Sequence, residues 1–495
     1  MPTWLAGAVV FFTSGAVLVL EILAGRLLAP YLGVRLETYT AIIGTVLAGI
    51  AVGTWLGGRL ADRVDPRRTL GPLIVAGGGL AMLSVPVVRA AGTPSTLQAD
   101  ATLFLAMSGF FAPAAVLSAV HPTVVKLQLR DLDVTGAVVG RLSAVGTAGA
   151  IAGTFVAGFV LVAAAATSTV IIAVGAALVA AGLLLWAGLA RPRPSATMLA
   201  LAVLGAVGAG GLAAVSAGPC DVETRYHCAR VIPDPVRTGG RSLWLDILRH
   251  SYVDLDDPAH LELRYSKAFA DVITAAVPGR DTGRPLDALH IGGGGFTMPR
   301  YLSATYPGSR HLVLEIDPAL VDLAEDRLGL VPGPGLRIRV GDARLLLRRL
   351  PSGSRDLVVG DAFGDLAVPW HLTTREFIAD VHRVLRPGGL YLLNLIDHPP
   401  LRFARAEVAS LAAVFGHVAV LAPPDRLAGD RGGNYVVAAS DRPFDGVRLE
   451  ALIQARQGQE RAAVGPDTTR FAGDGRVLTD DYAPVDQWLA RAERR

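Results

Sequence analysis

The chain has 495 residues, more than one domain usually holds. It is 52% hydrophobic with a mean hydropathy of +0.44, which excludes an ordinary, wholly soluble globular composition. A net charge of +3 is too small for a nucleic-acid binder, so no nucleic-acid partner is expected.

The apolar excess lies in residues 1–218, expected to form a transmembrane helical domain. Charge-free stretches long enough to span a bilayer occur at about 4–20, 38–58, 70–88, 101–120 and 195–218. Residues 142–190 hold no charge either, and with a break near Ala163–Thr169 they read as two further helices, about seven in all. The first run lacks a basic leader, so it reads as a span and not a cleaved signal. Gly49, Gly53 and Gly57, and again Gly149 and Gly153, recur every four residues, as close helix packing requires.

Arginine and lysine crowd the loops after helices two, four and six, including Arg59, Arg63, Arg67, Arg68, Lys126 and Arg193. This places the N-terminus inside and, with an odd number of spans, the C-terminal domain outside a cell membrane. Cys220 and Cys228 follow the last span, where they form a disulfide if that side oxidises and stay free thiols otherwise. An external domain conflicts with chemistry on nucleosides made in the cytoplasm. Glu21 is an acid near the end of the first apolar segment, either functional or an interfacial acid that pairs with Arg26 or snorkels. Gly57-Gly58-Arg59-Leu60-Ala61-Asp62-Arg63 resembles a loop of major-facilitator transporters, which makes a transport or sensor protein one alternative.

Residues 221–270 read as a small antiparallel β domain, with strands at Tyr226–Ile232, Ser242–Leu248 and Leu261–Tyr265. Residues 271–495 read as an α/β doubly wound domain. Its strands are expected at 286–291, 310–315, 336–340, 356–361 and 390–396, with helices at 298–305, 318–328, 343–350, 373–385 and 403–415. Ligands in such sheets bind at the carboxyl ends of the strands. Four polar features fall there: Gly292, Gly293, Gly294 and Gly295; Glu315; Asp342 with Ala343; and Asp361. The glycines admit a ligand's polar tail, Glu315 suits a ribose diol, and Asp342 with Ala343 suits an adenine edge. Asp361 faces the crevice centre, where a carboxylate deprotonates an amine. The bland alternative for Asp342 is a helix cap.

These residues resemble the spermidine synthases, or polyamine aminopropyltransferases, in a membrane-fused branch. The resemblance spans roughly 221–490. It is carried by His290-Ile291-Gly292-Gly293-Gly294-Gly295, Leu314-Glu315-Ile316-Asp317, Gly341-Asp342-Ala343, Asp361-Ala362-Phe363-Gly364-Asp365 and Leu478-Thr479-Asp480-Asp481-Tyr482. The resemblance implies a small β domain on a methyltransferase-like sheet, and transfer of an aminopropyl group from decarboxylated S-adenosylmethionine to putrescine. It implies no permanently bound cofactor and no metal, and a commonly homo-oligomeric state. By position it makes Asp361 the base, Asp365 and Pro369 part of the acceptor loop, and His227 a nucleoside neighbour. Gly295 replaces the family's aspartate, and Ser266, in Tyr265-Ser266-Lys267, replaces its histidine at the acceptor site. Each missing contact weakens a dication's hold. Lys267 suits a donor that keeps its carboxylate, so a methyltransferase-like enzyme using intact S-adenosylmethionine is the second alternative.

Overall fold

The computed structural model describes residues 1–33, 36–92, 99–129, 135–190, 193–277, 285–364 and 367–492. The chain divides into two compact units, Met1–Cys228 and Ala229–Arg495.

Among the described residues of the first unit, seven helices are long and apolar enough to cross a membrane: α1 (Thr3–Leu32), α2 (Glu37–Arg63), α3 (Pro66–Ala91), α4 (Thr102–Gln128), α5 (Thr135–Ala164), α6 (Thr167–Leu189) and α7 (Ala196–Val215). The expected break near Ala163–Thr169 is the α5–α6 turn. Helix α1 runs past its charge-free stretch because Glu21 and Arg26 lie within it.

Glycine sets the packing. A Cβ on Gly49 of α2 would stand 2.9 Å from Ala114 Cβ of α4, and one on Gly57 would stand 2.5 Å from Ala119 Cα. Gly149 and Gly153 of α5 face Gly15 and Phe11 of α1 in the same way. A third pair was not read from sequence: a Cβ on Gly78 of α3 would lie 2.6 Å from Gly175 O of α6. Without side chains in the way, backbones approach closely and dispersion contacts accumulate.

The Cys220–Cys228 disulfide closes a hairpin beside the helix ends. Glu223 Oε2 accepts the Thr167 N–H at the start of α6 (2.7 Å), and Arg89 Nη1 donates to Ser216 O (2.7 Å). The Arg26 guanidinium donates to the Thr224 and Arg225 carbonyls, not to Glu21. Of the readings for Glu21, pairing with Arg26 is not the one formed, since the hairpin carbonyls engage Arg26.

The second unit opens with antiparallel strands β1 (Cys228–Pro233), β2 (Gly240–Leu245) and β3 (Leu248–Asp254). Leu261–Tyr265, expected as a strand, instead leads into helix α8 (Arg264–Ala276). Tyr265, Ala268, Phe269, Val272, Ile273 and Ala276 recur at helical spacing, and five residues were too few to show that period.

The large sheet holds β4 (Asp287–Ile291), β5 (Arg310–Glu315), β6 (Leu336–Val340), β7 (Arg355–Gly360), β8 (Leu385–Asp397), β9 (His417–Ala422), β10 (Gly433–Ser440) and β11 (Arg461–Val464), in the order β11-β9-β10-β8-β7-β4-β5-β6. Strands β4 to β8 pair in parallel, while β9, β10 and β11 pair antiparallel. The expected strands and helices are present, and β9, β10 and β11 are additions. Helices cover both faces. Phe377, Val381 and Phe403 pack on one, and Phe269, Leu302 and Leu449 on the other. Leu289 and Ile291 of β4 face the first layer and Ala288 the second, so apolar side chains leave the strand on both faces.

Candidate functional site

The carboxyl ends of β4, β5 and β7 converge on the glycine turn. Gly292 (φ +89°) donates to Leu314 O at 2.9 Å, and a Cβ there would lie 2.6 Å from Asp361 O. Only glycine meets both demands. Gly293 N–H donates to Glu315 Oε2 at 2.7 Å, and Gly295 N–H to Ser251 Oγ at 2.9 Å. Phe296 follows in the left-handed region (φ +57°) and is fully buried, its ring under Gly293, where a Cβ would stand 2.7 Å from Cζ.

Glu315 is buried and uses both oxygens: Oε2 for Gly293 and Oε1 for the Asp317 N–H at 2.9 Å. Burial pushes its carboxyl up, opposed by these backbone donors. A carboxylate offers about four lone-pair sites, so acceptor capacity remains for a ligand's hydroxyl beyond the backbone donors of Gly293, Gly294 and Asp317. Asp342 caps the helix Ala343–Leu347, its Oδ1 accepting from Arg344 N at 2.8 Å and Leu345 N at 3.2 Å. The cap is thus formed, and Oδ2 remains, 3.7 Å from His371 Nε2. The C-terminal motif supports this strand end: Asp480 accepts from Arg344 Nη2 (2.7 Å) and Thr374 Oγ1 (2.8 Å).

Asp361 follows β7. Its Oδ1 accepts from Asn394 Nδ2 at 2.9 Å, while the Tyr265 hydroxyl nearby donates to His250 O at 3.2 Å. Burial pushes this carboxyl up to about 6, opposed by the Asn394 amide and the nearby Tyr265 hydroxyl. Asn394 Oδ1 accepts from Asn434 Nδ2 at 3.0 Å. A cavity of about 380 Å³ opens here, lined by Ser251, Tyr265, Gly293, Asp361, Asn394 and Asn434 among others.

The structure thus gathers Gly292, Gly293, Gly294, Gly295, Glu315 and Asp361 around one turn. It does not bring Ser266 to the cavity. Ser266 is buried, its hydroxyl donating to Leu263 O at 2.7 Å, because the helical turn sends Tyr265 and Ala268 inward to the cavity instead. Lys267 is not among the cavity residues either. His227 belongs to the helical unit, in a turn where its N–H donates to Thr224 Oγ1 at 2.9 Å. Asp365 lies outside the described residues, and Pro369 precedes the turn Trp370–Leu372. Tyr265, Asn394 and Asn434 were missed. Asn394 had a signal, being the one polar residue in Leu390-Tyr391-Leu392-Leu393-Asn394-Leu395-Ile396 apart from a tyrosine.

Residues 289–393 match a family model described as a methyltransferase domain. The chain is 33% identical over 141 residues to a polyamine aminopropyltransferase of Vibrio vulnificus, covering 27% of this chain and 44% of that one. It is 28% identical over 183 residues to a polyamine aminopropyltransferase of Chromobacterium violaceum, covering 35% and 67%. The match with the Vibrio relative therefore spans less than half of that protein's length. The crystal structure of a probable spermidine synthase from Corynebacterium glutamicum is 32% identical, with a TM-score of 0.50, and covers 52% of this chain and 95% of that one. With 32% identity over 95% of that chain, the chain belongs to the spermidine synthase (polyamine aminopropyltransferase) family.

Proposed function

We propose that the protein is a membrane-bound aminopropyltransferase, with decarboxylated S-adenosylmethionine as donor and a small amine as acceptor. The observation that carries this reading is the half-buried Asp361 carboxyl, held by Asn394 beside Tyr265 at the mouth of the glycine turn. In this reading Glu315 holds the ribose, and Asp342 with Ala343 the adenine. The acceptor nitrogen attacks the propyl carbon bonded to the sulfonium. An N–C bond forms, the C–S bond breaks, and its electron pair leaves on sulfur as neutral methylthioadenosine. The proton on nitrogen passes to Asp361, which is ionised at neutral pH because it titrates near 6. Holding both substrates in one cavity supplies much of the rate. The seven apolar helices anchor the enzyme in a membrane, and the Cys220–Cys228 disulfide favours an oxidising side for the hairpin.

The test is calorimetric titration of the detergent-purified protein with decarboxylated and with intact S-adenosylmethionine, followed by assay for methylthioadenosine with an amine present. Release of methylthioadenosine, lost in Asp361→Asn with donor binding kept, supports the reading. Tight binding of intact S-adenosylmethionine without any methylthioadenosine sinks it in favour of a methyltransferase.

A further inference from the structure

A chain of side chains crosses the site cavity. Asp361 follows β7, Asn394 is on β8, and Asn434 is on β10, joined by bonds of 2.9 and 3.0 Å. Arg426 continues the chain, with Nη1 3.5 Å from Asn434 O. Its guanidinium lies over Gly433 (φ +142°), where a Cβ would stand 2.7 Å from Nη1. From β7 to β10 are two strand spacings, about 10 Å. So a carboxylate stands at one end of the crevice and a guanidinium at the other.

Three arginines of the cavity wall, Arg249, Arg264 and Arg426, hold no ion pair among the described residues. Arg249 Nε is buried with no hydrogen-bond partner, its guanidinium 5.0 Å from the Tyr252 ring. The acids do not offset them. The lining holds two, Asp361 and Glu460, and Glu460 Oε2 is already taken by Arg456 Nη2 at 2.8 Å. Arg456 itself also bonds Asp271. One lining carboxylate is left for a cation, against three arginines without an ion pair, of which Arg249 feels Asp234 at longer range. A diamine placed with one nitrogen at Asp361 would point its second ammonium toward like charge.

The geometry points to an acceptor that carries an amine at one end and a carboxylate at the other: a short ω-amino acid, not a diamine. Its amine meets Asp361, and its carboxylate meets Arg426, with Arg249 and Arg264 adding to the positive field. Arginine's planar fork suits a carboxylate. The product would then be an N-(3-aminopropyl) amino acid, formed by the bond changes given above. This inference rests on the aminopropyltransferase reading.

The test compares putrescine with 4-aminobutyrate, two chains of matched length that differ in one terminal group. Each is titrated calorimetrically into the full-length, detergent-purified protein saturated with methylthioadenosine. The expected result is binding of 4-aminobutyrate at least roughly tenfold tighter than putrescine, the worth of one charge-assisted contact. Arg426→Gln should erase that preference while methylthioadenosine still binds. If Arg426→Gln no longer binds methylthioadenosine, the exposed Arg264→Gln takes its place, with a smaller loss expected. Tighter binding of putrescine, or binding of neither amine by a protein that does bind methylthioadenosine, overturns the inference. Failure to bind methylthioadenosine at all overturns the aminopropyltransferase reading itself.

Discussion

Asn394 donates its side-chain amide to Asp361 Oδ1 at 2.9 Å, and this bond opposes the burial that lifts the carboxyl to about 6. A base must be ionised to accept a proton, so kcat/KM should rise with pH through an acidic limb near 6. Asn394→Ala removes a donor that favours the charged form, so the limb should move to higher pH. The rate should then drop several-fold at pH 7 and recover at pH 9. An unmoved limb would mean that Asp361 is not the titrating base.

Gly292 combines a φ of +89° with the approach of Asp361 O, so Gly292→Ala should cost on the order of 1–3 kcal/mol and weaken nucleoside binding. Gly353→Ala is the control. Gly353 also has a positive φ (+58°), but no atom lies within 4 Å of its added Cβ. Thermal unfolding and nucleoside titration of both variants check this, with equal losses counting against the steric argument.

Glu407 is fully buried on the helix Arg402–Ala412, with neither carboxyl oxygen bonded. Burial holds its carboxyl well above the ordinary value, so the folded state keeps a proton that the unfolded chain loses. Stability should therefore fall as pH rises above about 4.5. Glu407→Met removes the unbonded polar group at similar size and should stabilise the fold by about 1–3 kcal/mol at neutral pH. A variant that melts earlier than the parent would show that the carboxyl has a role.

His290 and His311 sit side by side on β4 and β5, Nε2 to Nδ1 at 3.2 Å, with their other ring nitrogens unbonded. Burial holds His290 well below 6.5 and His311 at about 4. Because these folded values are depressed, the penalty is absent above pH 6.5 and grows as pH falls toward 4. Hydrogen exchange at Leu289–Ile291 and Leu312–Leu314 should accelerate at pH 5 relative to pH 7.5, after correction for intrinsic rates. His290→Leu with His311→Leu should flatten that difference.

Sidedness has a direct check. After mild reduction of intact cells, a membrane-impermeant thiol reagent should label Cys220 and Cys228 if the hairpin faces outward. Labelling seen only after lysis would place it inside, against the charge count of the loops.

Much of the fold was legible because period and length suffice for apolar elements. Charge-free runs gave seven helices, and alternation of short apolar runs with helical spacing gave the parallel strands β4 to β8. The strands β9, β10 and β11 were missed although glycines precede His417 and Asn434, because apolar runs this short have no period that separates a buried strand from a helix segment. The glycine turn, Glu315 and Asp361 were readable at strand ends, where topology alone puts ligands. The acceptor wall was not. Asn394 is 40 residues from Asn434, and the two meet only because β8 and β10 pair antiparallel. Ser266 was misplaced by one residue on a helix, enough to turn a side chain from the cavity to the core.

The ring of Phe296, buried beneath Gly293 in a left-handed backbone, is a floor under the glycine turn. A loop resting on such a floor has few other shapes to visit. The ordering entropy of the turn is thus spent in folding, before any ligand arrives. Affinity for the nucleoside is therefore tied to how firmly that ring is packed. A cavity opened beside Phe296, though it removes no ligand contact, should loosen the ligand by speeding its escape more than by slowing its entry.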